Sequence, residues 1–573
     1  MPLRGVGKTL CHVSTQWRAC VPRPLRARFR CGPGSVGKKC CMVFMKRRSL
    51  LTGLGAGLLL STRVRALRAA VPRDLEKNPS FKTSPFQLGV ASGDPASDGL
   101  VLWTRLAPNP LEEAGGMEVL KPVLVDWEVS ENESFSKPVQ SGQTLAHPEL
   151  GHSVHVEVAG LKPDRPYWYR FHIAGYESPT GRGRTLPLPG APLSRVRFAA
   201  AGCQHYEYGY YTAWRAIANE PIDFVFHYGD YIYEGPDSGD HLRDIDGQKA
   251  HVLRRHVGPE CYSLDEYRRR YAQYKMDADL QAAHAATSWI VSFDDHEIDN
   301  NWAGDTDQDG TPPEIFRLRR ASGLQAYYEN MPLRATSIPD GSHMQLYRSL
   351  RFGDLMNMFV LDTRQYRSDQ AYGDTNAAQG RDVWSPERTM MGAQQEQWLF
   401  DGLGRSDAKW NLLAHQVMVM DLAHHKSAHS ELTYSMDQWS GYLYSRKRLL
   451  DFIDTHCPGN VVNVTGDAHR HFAGDLLLEP GRGKPVSVEF LATSISSGAD
   501  GLGDDDHFSR IARSLNPHLK ATTDRRGYVL CDVGPEVWHA DLKIIDRVMV
   551  RNGALSTYAS FAVERGNPGL QEA

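Results

Sequence analysis

The chain has 573 residues, long enough for more than one domain, and its 41% hydrophobic, 10% aromatic and 23% charged composition excludes a disordered or fibrous polypeptide. Its formal net charge of −3 conceals an asymmetry: sixteen Lys or Arg and no acidic residue precede Asp74, so residues 74–573 hold 49 basic against 68 acidic residues, a net of −19. That body argues against specific nucleic-acid binding. Nine Cys, five of them (Cys11, Cys20, Cys31, Cys40, Cys41) in the first 41 residues, exclude a disulfide scaffold.

Residues 1–44 are rich in Arg, Pro, Gly and Cys without periodicity and fit no signal, so they are expected to be a doubtful leader upstream of a true start at Met42 or Met45. Residues 45–66 have a charged start, a Gly-rich apolar run at 50–60 and a small-residue cleavage site at Val64-Arg65-Ala66. Arg47-Arg48 with Leu50-Leu51 matches a twin-arginine export signal, so a periplasmic or secreted enzyme that uses the twin-arginine machinery is expected. The apolar run is too short for a membrane span. Cleavage after Ala66 leaves 507 residues with a net charge of about −17 and four Cys, namely Cys203, Cys261, Cys457 and Cys531.

Residues 80–188 read as an all-β immunoglobulin- or fibronectin-like sandwich, with alternating runs at 100–106, 123–129, 152–159 and 167–174. The stretch from Leu161 to Arg170 resembles the corner and following strand of such a domain. A Pro-rich linker follows at 186–192. The pattern then becomes α/β, with buried strands at 195–201, 222–227, 288–293, 355–361, 409–414 and 460–465. Ser263-Leu264-Asp265-Glu266 is a capping box opening a helix expected to run to residue 286. A second helix is expected from 315 to 330, ended before Pro332, and residues 527–563 turn β-rich and close the sheet.

In an open α/β sheet, ligands bind beyond the carboxyl ends of the strands. Here those ends read Gly202-Cys203, Gly229-Asp230-Tyr231-Ile232-Tyr233-Glu234, Asp294-Asp295-His296-Glu297 with Asn300-Asn301 after it, His415, and Gly466-Asp467-Ala468-His469. Thiolate, phenol, carboxylate and imidazole groups would converge at one edge, which is what a site for two or more metal ions needs. Asp305-Thr306-Asp307-Gln308-Asp309-Gly310 imitates half of an EF-hand loop, but Phe316 stands where the closing Glu belongs, and a solvated acidic loop is the better reading. Asp504-Asp505-Asp506 is a second acidic loop without an assigned role.

The series Gly229-Asp230-xx-Tyr233, Asp295-His296-Glu297, His415 and Gly466-Asp467-x-His469 resembles the ordered motifs of the metallophosphoesterases. It resembles specifically the alkaline phosphatase D (PhoD-like) family. Leu88-Gly89-Val90-Ala91-Ser92-Gly93-Asp94-Pro95 and Leu361-Asp362-Thr363-Arg364-Gln365-Tyr366-Arg367 are further family-like stretches, and the likeness covers about 84–568. Purple acid phosphatases share the general series but differ from this chain at the first, third and last tips.

The resemblance implies an α/β (α+β-type) metallophosphatase catalytic domain over 195–568, ferric iron with calcium as cofactors, and hydrolysis of phosphate mono- and diesters by a metal-bound hydroxide. It implies a phosphate ester substrate, with a phospholipase D-type phosphodiesterase as the alternative within the family. Carried onto these positions, it makes Asp230 the bridging carboxylate and Cys203, Tyr233 and His469 the partners of the ferric ion. Asp295 and Asp467 are then ligands of the calcium-type ion. His415 either ligates or lies just outside, and Asp294 is either a ligand or a backbone cap. His296 is expected to contact the phosphoryl group or the leaving oxygen, with Glu297 orienting it. Asn300 and Arg364 are expected substrate contacts, and His471 a group behind the ligands.

Overall fold

The structure, a computed structural model, describes residues 75–573 apart from 119, 240–241, 246–247, 426–429 and 480, and the side chains of 242–245 and 248–250. The leader and export signal expected at 1–44 and 45–66 lie outside the described residues. Short apolar runs buried on both faces form the parallel strands, as expected of a sheet covered on each side. Val196–Ala201, Phe224–His227, Ser288–Val291 and Val90–Ala96 are the parallel centre of a ten-stranded sheet. Antiparallel strands flank it: Gly99–Arg105 and Ser153–Ala159 on one side, and Arg526–Val533, Val537–Ile545, Leu555–Glu564 and Asn567–Glu572 on the other. The chain's last strands thus extend the sheet as their composition predicts.

A second, seven-stranded sheet has Met356–Val360, Trp410–Ala414, Val461–Thr465 and Arg482–Leu491 as its parallel centre. Alternation along each strand decides what faces what. Phe198, Phe224, Phe226 and Ile290 meet Met358, Val360, Leu412 and Val464 in a core between the sheets. Val225, Trp289 and Val291 turn the other way, onto helices Leu264–Lys275, Ala278–Ala286 and Pro313–Asn330. Phe359 and Leu413 of the second sheet cover helices Gly392–Gly404 and Leu443–His456. The layers therefore run helix, sheet, sheet, helix. Truncating a fully buried phenylalanine such as Phe226 between the sheets would cost about 3–5 kcal/mol.

The capping box forms, with Glu266 N donating to Ser263 Oγ and Glu266 Oε2 accepting from Ser263 N. The single helix expected to residue 286 is two helices. The first stops at Lys275, and Asp277 starts the second by accepting from Asp279 N and Leu280 N. An Asp that offers its own backbone-capping bonds competes with helix continuation, and here it wins.

Val123–Ser130, Pro138–Ala146, Pro166–Ile173, Tyr176–Glu177 and Gly181–Arg184 make a third sheet. Val125, Val129, Tyr169 and Phe171 pack on Leu100, Leu102, Val154 and Val156. Tyr167 Oη accepts from Lys162 N at 2.9 Å. The proposed boundary after residue 188 is not a break in the sheet, because Ser92 and Gly93 pair in parallel with Ser288 and Trp289. Arg348 clamps this junction through Asp94 Oδ1 at 2.6 and 2.9 Å. All described residues fall in one compact unit. Among them, no helix is long and apolar enough to cross a membrane.

Candidate metal centre at the strand tips

Six of the parallel strands, three from each sheet, deliver a polar group at their carboxyl ends. Cys203 follows Val196–Ala201, Asp230 and Tyr233 follow Phe224–His227, and Asp294 to His296 follow Ser288–Val291. From the facing sheet come Arg364, His415, and Asp467 with His469, after Met356–Val360, Trp410–Ala414 and Val461–Thr465. Four of these residues turn sharply: Cys203, Asp230, Asp467 and His469 have φ of +51°, +54°, +66° and +54°. The left-handed region costs an L-residue about 1–2 kcal/mol, and such strain collects where function demands a particular aim. Glycine makes the close approach of the strand tips feasible, within the first sheet at Gly202 and Gly229 and between the sheets at Gly466. A Cβ on Gly202 or Gly466 would lie 2.4 or 2.2 Å from the ring of Tyr228, and one on Gly229 would lie 2.3 Å from Asp294 Cβ.

Three groups of side chains have ligand atoms close enough to share an ion: Cys203, Asp230 and His469; Asp230, Asp295 and His296; and Asp294, Asp295 and Asp467. Asp230 and Asp295 each belong to two of them, so the groups form a chain. Tyr233 joins the first, donating from Oη to Asp230 Oδ2 at 2.7 Å and lying 3.0 Å from His469 Nε2. Asp230 Oδ1, Asp294 Oδ2 and Asp295 Oδ1 are buried without a hydrogen-bond partner. Unpaired buried carboxylate oxygens are costly, and their convergence fits cations.

The electrostatics point the same way. Burial, then Asp230, Asp467 and Asp294, push the Cys203 thiol well above its usual range. Burial and the Asp230 and Cys203 charges do the same to the Tyr233 phenol. Burial raises Asp294 well above the usual carboxylate range despite Arg364. Burial and Asp437 bring Asp467 up to about 7. Burial would also raise Asp295, but Arg364 and His296 outweigh it and hold that carboxyl low. A bound cation relieves all of these repulsions at once, and thiolate and phenolate donors beside carboxylates suit a hard or borderline ion. The donor set therefore fits metal cations, one against Cys203, Asp230, Tyr233 and His469 and others at the Asp cluster.

The structure corrects several roles. His296 is oriented by Glu234, whose Oε2 lies 2.7 Å from its Nδ1, and not by Glu297. Burial would strip the imidazole of its proton, but Glu234, Asp295 and Asp230 raise its pKa well above the ordinary value. Glu297 instead accepts from the backbone N of Asp230, Tyr231 and Asp294 at 3.1, 2.6 and 2.9 Å, tying two strand tips together. Burial, with the neighbouring Asp230, raises it to about 8.

Arg364, expected at the substrate, faces carboxylates of the site instead of solvent. It is wholly buried and spends its guanidinium on Asp294, on Asp437 Oδ1 at 3.0 Å and on Asp467 Oδ1 at 3.4 Å. His415 belongs to none of the three groups. It is buried beside Asn463 and Val417, and burial lowers its pKa to about 3. Asn300 is half-buried at the edge, its N bonded to Glu234 Oε1 at 2.9 Å and its Nδ2 to Gln308 at 2.7 Å. His471 bonds only to backbone, through Leu491 O, Lys543 O and Thr493 N. Asp294 proves able to join a ligand group.

Of the acidic loops, Asp305 pairs with Arg317 and Arg320, while Asp506 caps helix His507–Leu515. Sequence reasoning passed over Glu234, although it stands inside the Asp230 motif, and it also missed Asp437, Gln438 and Ser497. Asp437 holds Arg364 and Arg367, Gln438 donates to Asp467, and Ser497 donates to Tyr233. No local pattern marks these three.

Two family patterns match the chain: the PhoD-like phosphatase over residues 198–542 and the PhoD-like phosphatase N-terminal domain over 70–187. Alkaline phosphatase D of Bacillus subtilis is 44% identical over 532 residues, 92% of this chain and 88% of that protein. A solved structure of PhoD superposes with a TM-score of 0.82 at 45% identity, covering 86% of this chain and 93% of the other. The purple acid phosphatase PPD1 of yellow lupin shares the fold alone, with a TM-score of 0.51 at 14% identity over 83% of this chain and 74% of its own. The chain belongs to the PhoD-like phosphatase family and is a hydrolase of phosphoric ester bonds.

Proposed function

We propose that the chain is an exported, metal-dependent phosphoesterase that cleaves phosphate mono- and diesters, with iron and calcium as its metals. The observation that carries this reading is the two adjoining ligand groups, Cys203 with Asp230 and His469 and Asp295 with Asp294 and Asp467, in which three buried carboxylate oxygens have no hydrogen-bond partner. Cys203, Asp230, Tyr233 and His469 would hold the ferric ion, and Asp295, Asp467 and Asp294 the calcium. When bound, these ions supply Lewis acidity toward the phosphoryl oxygens and activate the attacking water.

The chain's own residues do the rest. Glu234 fixes the His296 ring by its Nδ1, and the ring lies tilted against Tyr233 with centroids 4.1 Å apart, so that in the doubly protonated ring Nε2 carries the transferable proton. From Nε2 a proton passes to the departing alkoxide. Asn300, held at the edge through Glu234 and Gln308, would touch the ester. Residues 80–188 act as a β-sandwich that buttresses the catalytic sheet. The Arg47-Arg48 signal supports export through the twin-arginine machinery.

Elemental analysis of the purified protein, with a monoester and diester panel before and after chelation, tests the reading. Loss of hydrolysis on chelation and its return with iron and calcium are expected. Undiminished hydrolysis in a protein free of both metals would overturn it. Inverted configuration at phosphorus in one turnover is expected, and retention would reject direct attack by water.

A further inference from the structure

Three polar groups surround the Tyr233 hydroxyl: Asp230 Oδ2 at 2.7 Å, His469 Nε2 at 3.0 Å and Ser497 Oγ at 2.6 Å. If Tyr233 serves a metal ion as phenolate, it has no proton to give and needs a donor. An ionised Asp230 only accepts, and a ligating His469 Nε2 offers a lone pair and no hydrogen. Ser497 is the group that keeps a proton to share.

Its hydroxyl is aimed by its surroundings. Ser497 is buried in the loop that follows Arg482–Leu491, the next parallel strand of the second sheet. That loop is pinned to the first sheet by Ile495 N to Gly202 O at 2.9 Å and braced internally by Ser494 Oγ to Ser497 O at 2.6 Å. His205 N donates to Ser497 Oγ at 3.2 Å, which occupies a lone pair. The remaining hydrogen has two acceptors, Cys203 O at 2.8 Å and Tyr233 Oη at 2.6 Å. A neutral phenol is the weaker acceptor, whereas a phenolate makes a charge-assisted bond and draws the hydroxyl to itself.

We propose that Ser497 is a positioning residue whose hydroxyl donates to the Tyr233 phenolate and so limits how much charge the phenolate gives to a ferric ion. The inference rests on the ferric assignment under Proposed function. A hydrogen bond to a ligand oxygen stabilises its lone pairs, raising both the energy of the phenolate-to-iron transition and the reduction potential of the iron.

The test is the visible charge-transfer band of the iron-loaded, full-length protein. Ser497→Ala should move the band to longer wavelength and lower the iron potential, while Ser497→Thr, which keeps the hydroxyl, should restore both. Tyr233→Phe should abolish the band. A second readout uses the unaltered protein: the phenolate C–O stretch in resonance Raman should shift between H2O and D2O. A Ser497→Ala band at the wild-type position, or a stretch insensitive to deuterium, overturns the role of Ser497. An iron-loaded wild type with no such band overturns the ferric-phenolate assignment itself.

Discussion

Arg364→Met separates two roles for this residue. The sequence assigns it to the substrate, whereas the structure buries it wholly between Asp294, Asp437 and Asp467, with Asp295 at 3.7 Å. Four carboxylates here face two guanidinium groups, those of Arg364 and Arg367. Methionine fills much of the volume and removes one of the two cations. Breaking a buried pair by deleting one partner costs about 3–5 kcal/mol, because the other charge is left uncompensated. Asp467, at about 7, and Asp294, raised by burial, can take up protons and offset part of this.

The loss should therefore sit near the lower end, about 3 kcal/mol, at pH 7 and grow as pH rises and these groups ionise. Metal ions compensate the same carboxylates, so the loss should shrink in the loaded protein. Urea unfolding at two pH values, with and without chelator, measures each part. A variant as stable as wild type in chelator, with only KM raised, would refute the structural role and return Arg364 to the substrate.

Three other outcomes are expected from the same geometry. Asp230→Ala should lose both hydrolysis and bound metal, measured by activity and elemental analysis, since two ligand groups share that carboxylate; near-normal activity would remove the centre of the argument. Glu234→Gln should lower kcat about 10–100-fold with KM little changed, because it loosens His296 without touching the ligands; an unchanged kcat would leave His296 without its orienter. His152, buried and lowered to about 4 by desolvation, is neutral in the fold. Its contribution is full above about 6.5 and is lost as pH falls toward 4, up to about 3 kcal/mol. His152→Asn, which suits the positive φ of 56° there, should flatten that part of the acid-unfolding profile, and an unchanged profile would count against the assignment.

The candidate ligand types and their order along the chain are legible in the amino-acid sequence alone. Gly-Asp-xx-Tyr, Asp-His-Glu and Gly-Asp-x-His each end a buried apolar run, and a parallel strand presents the residues beyond its carboxyl end at one edge of the sheet. Most of the strands of the catalytic part were legible for the same reason, as was the capping box at Ser263. The split at Asp277 was not, because helix periodicity continues through it while a local capping bond breaks the backbone ladder.

Which charge compensates which emerges only from the packed fold. Glu234 and Glu297 both bond to the Asp294–His296 tip although they are 63 residues apart in sequence, and only packing could show that the former holds His296 and the latter the backbone. Asp437 turns Arg364 inward from a loop no motif singles out, and Ser497 meets Tyr233 across 264 residues. Short-range pattern reports a residue's chemistry and its secondary-structure position. Burial and opposing charge, which set its protonation and its partner, arise only when two sheets close on each other.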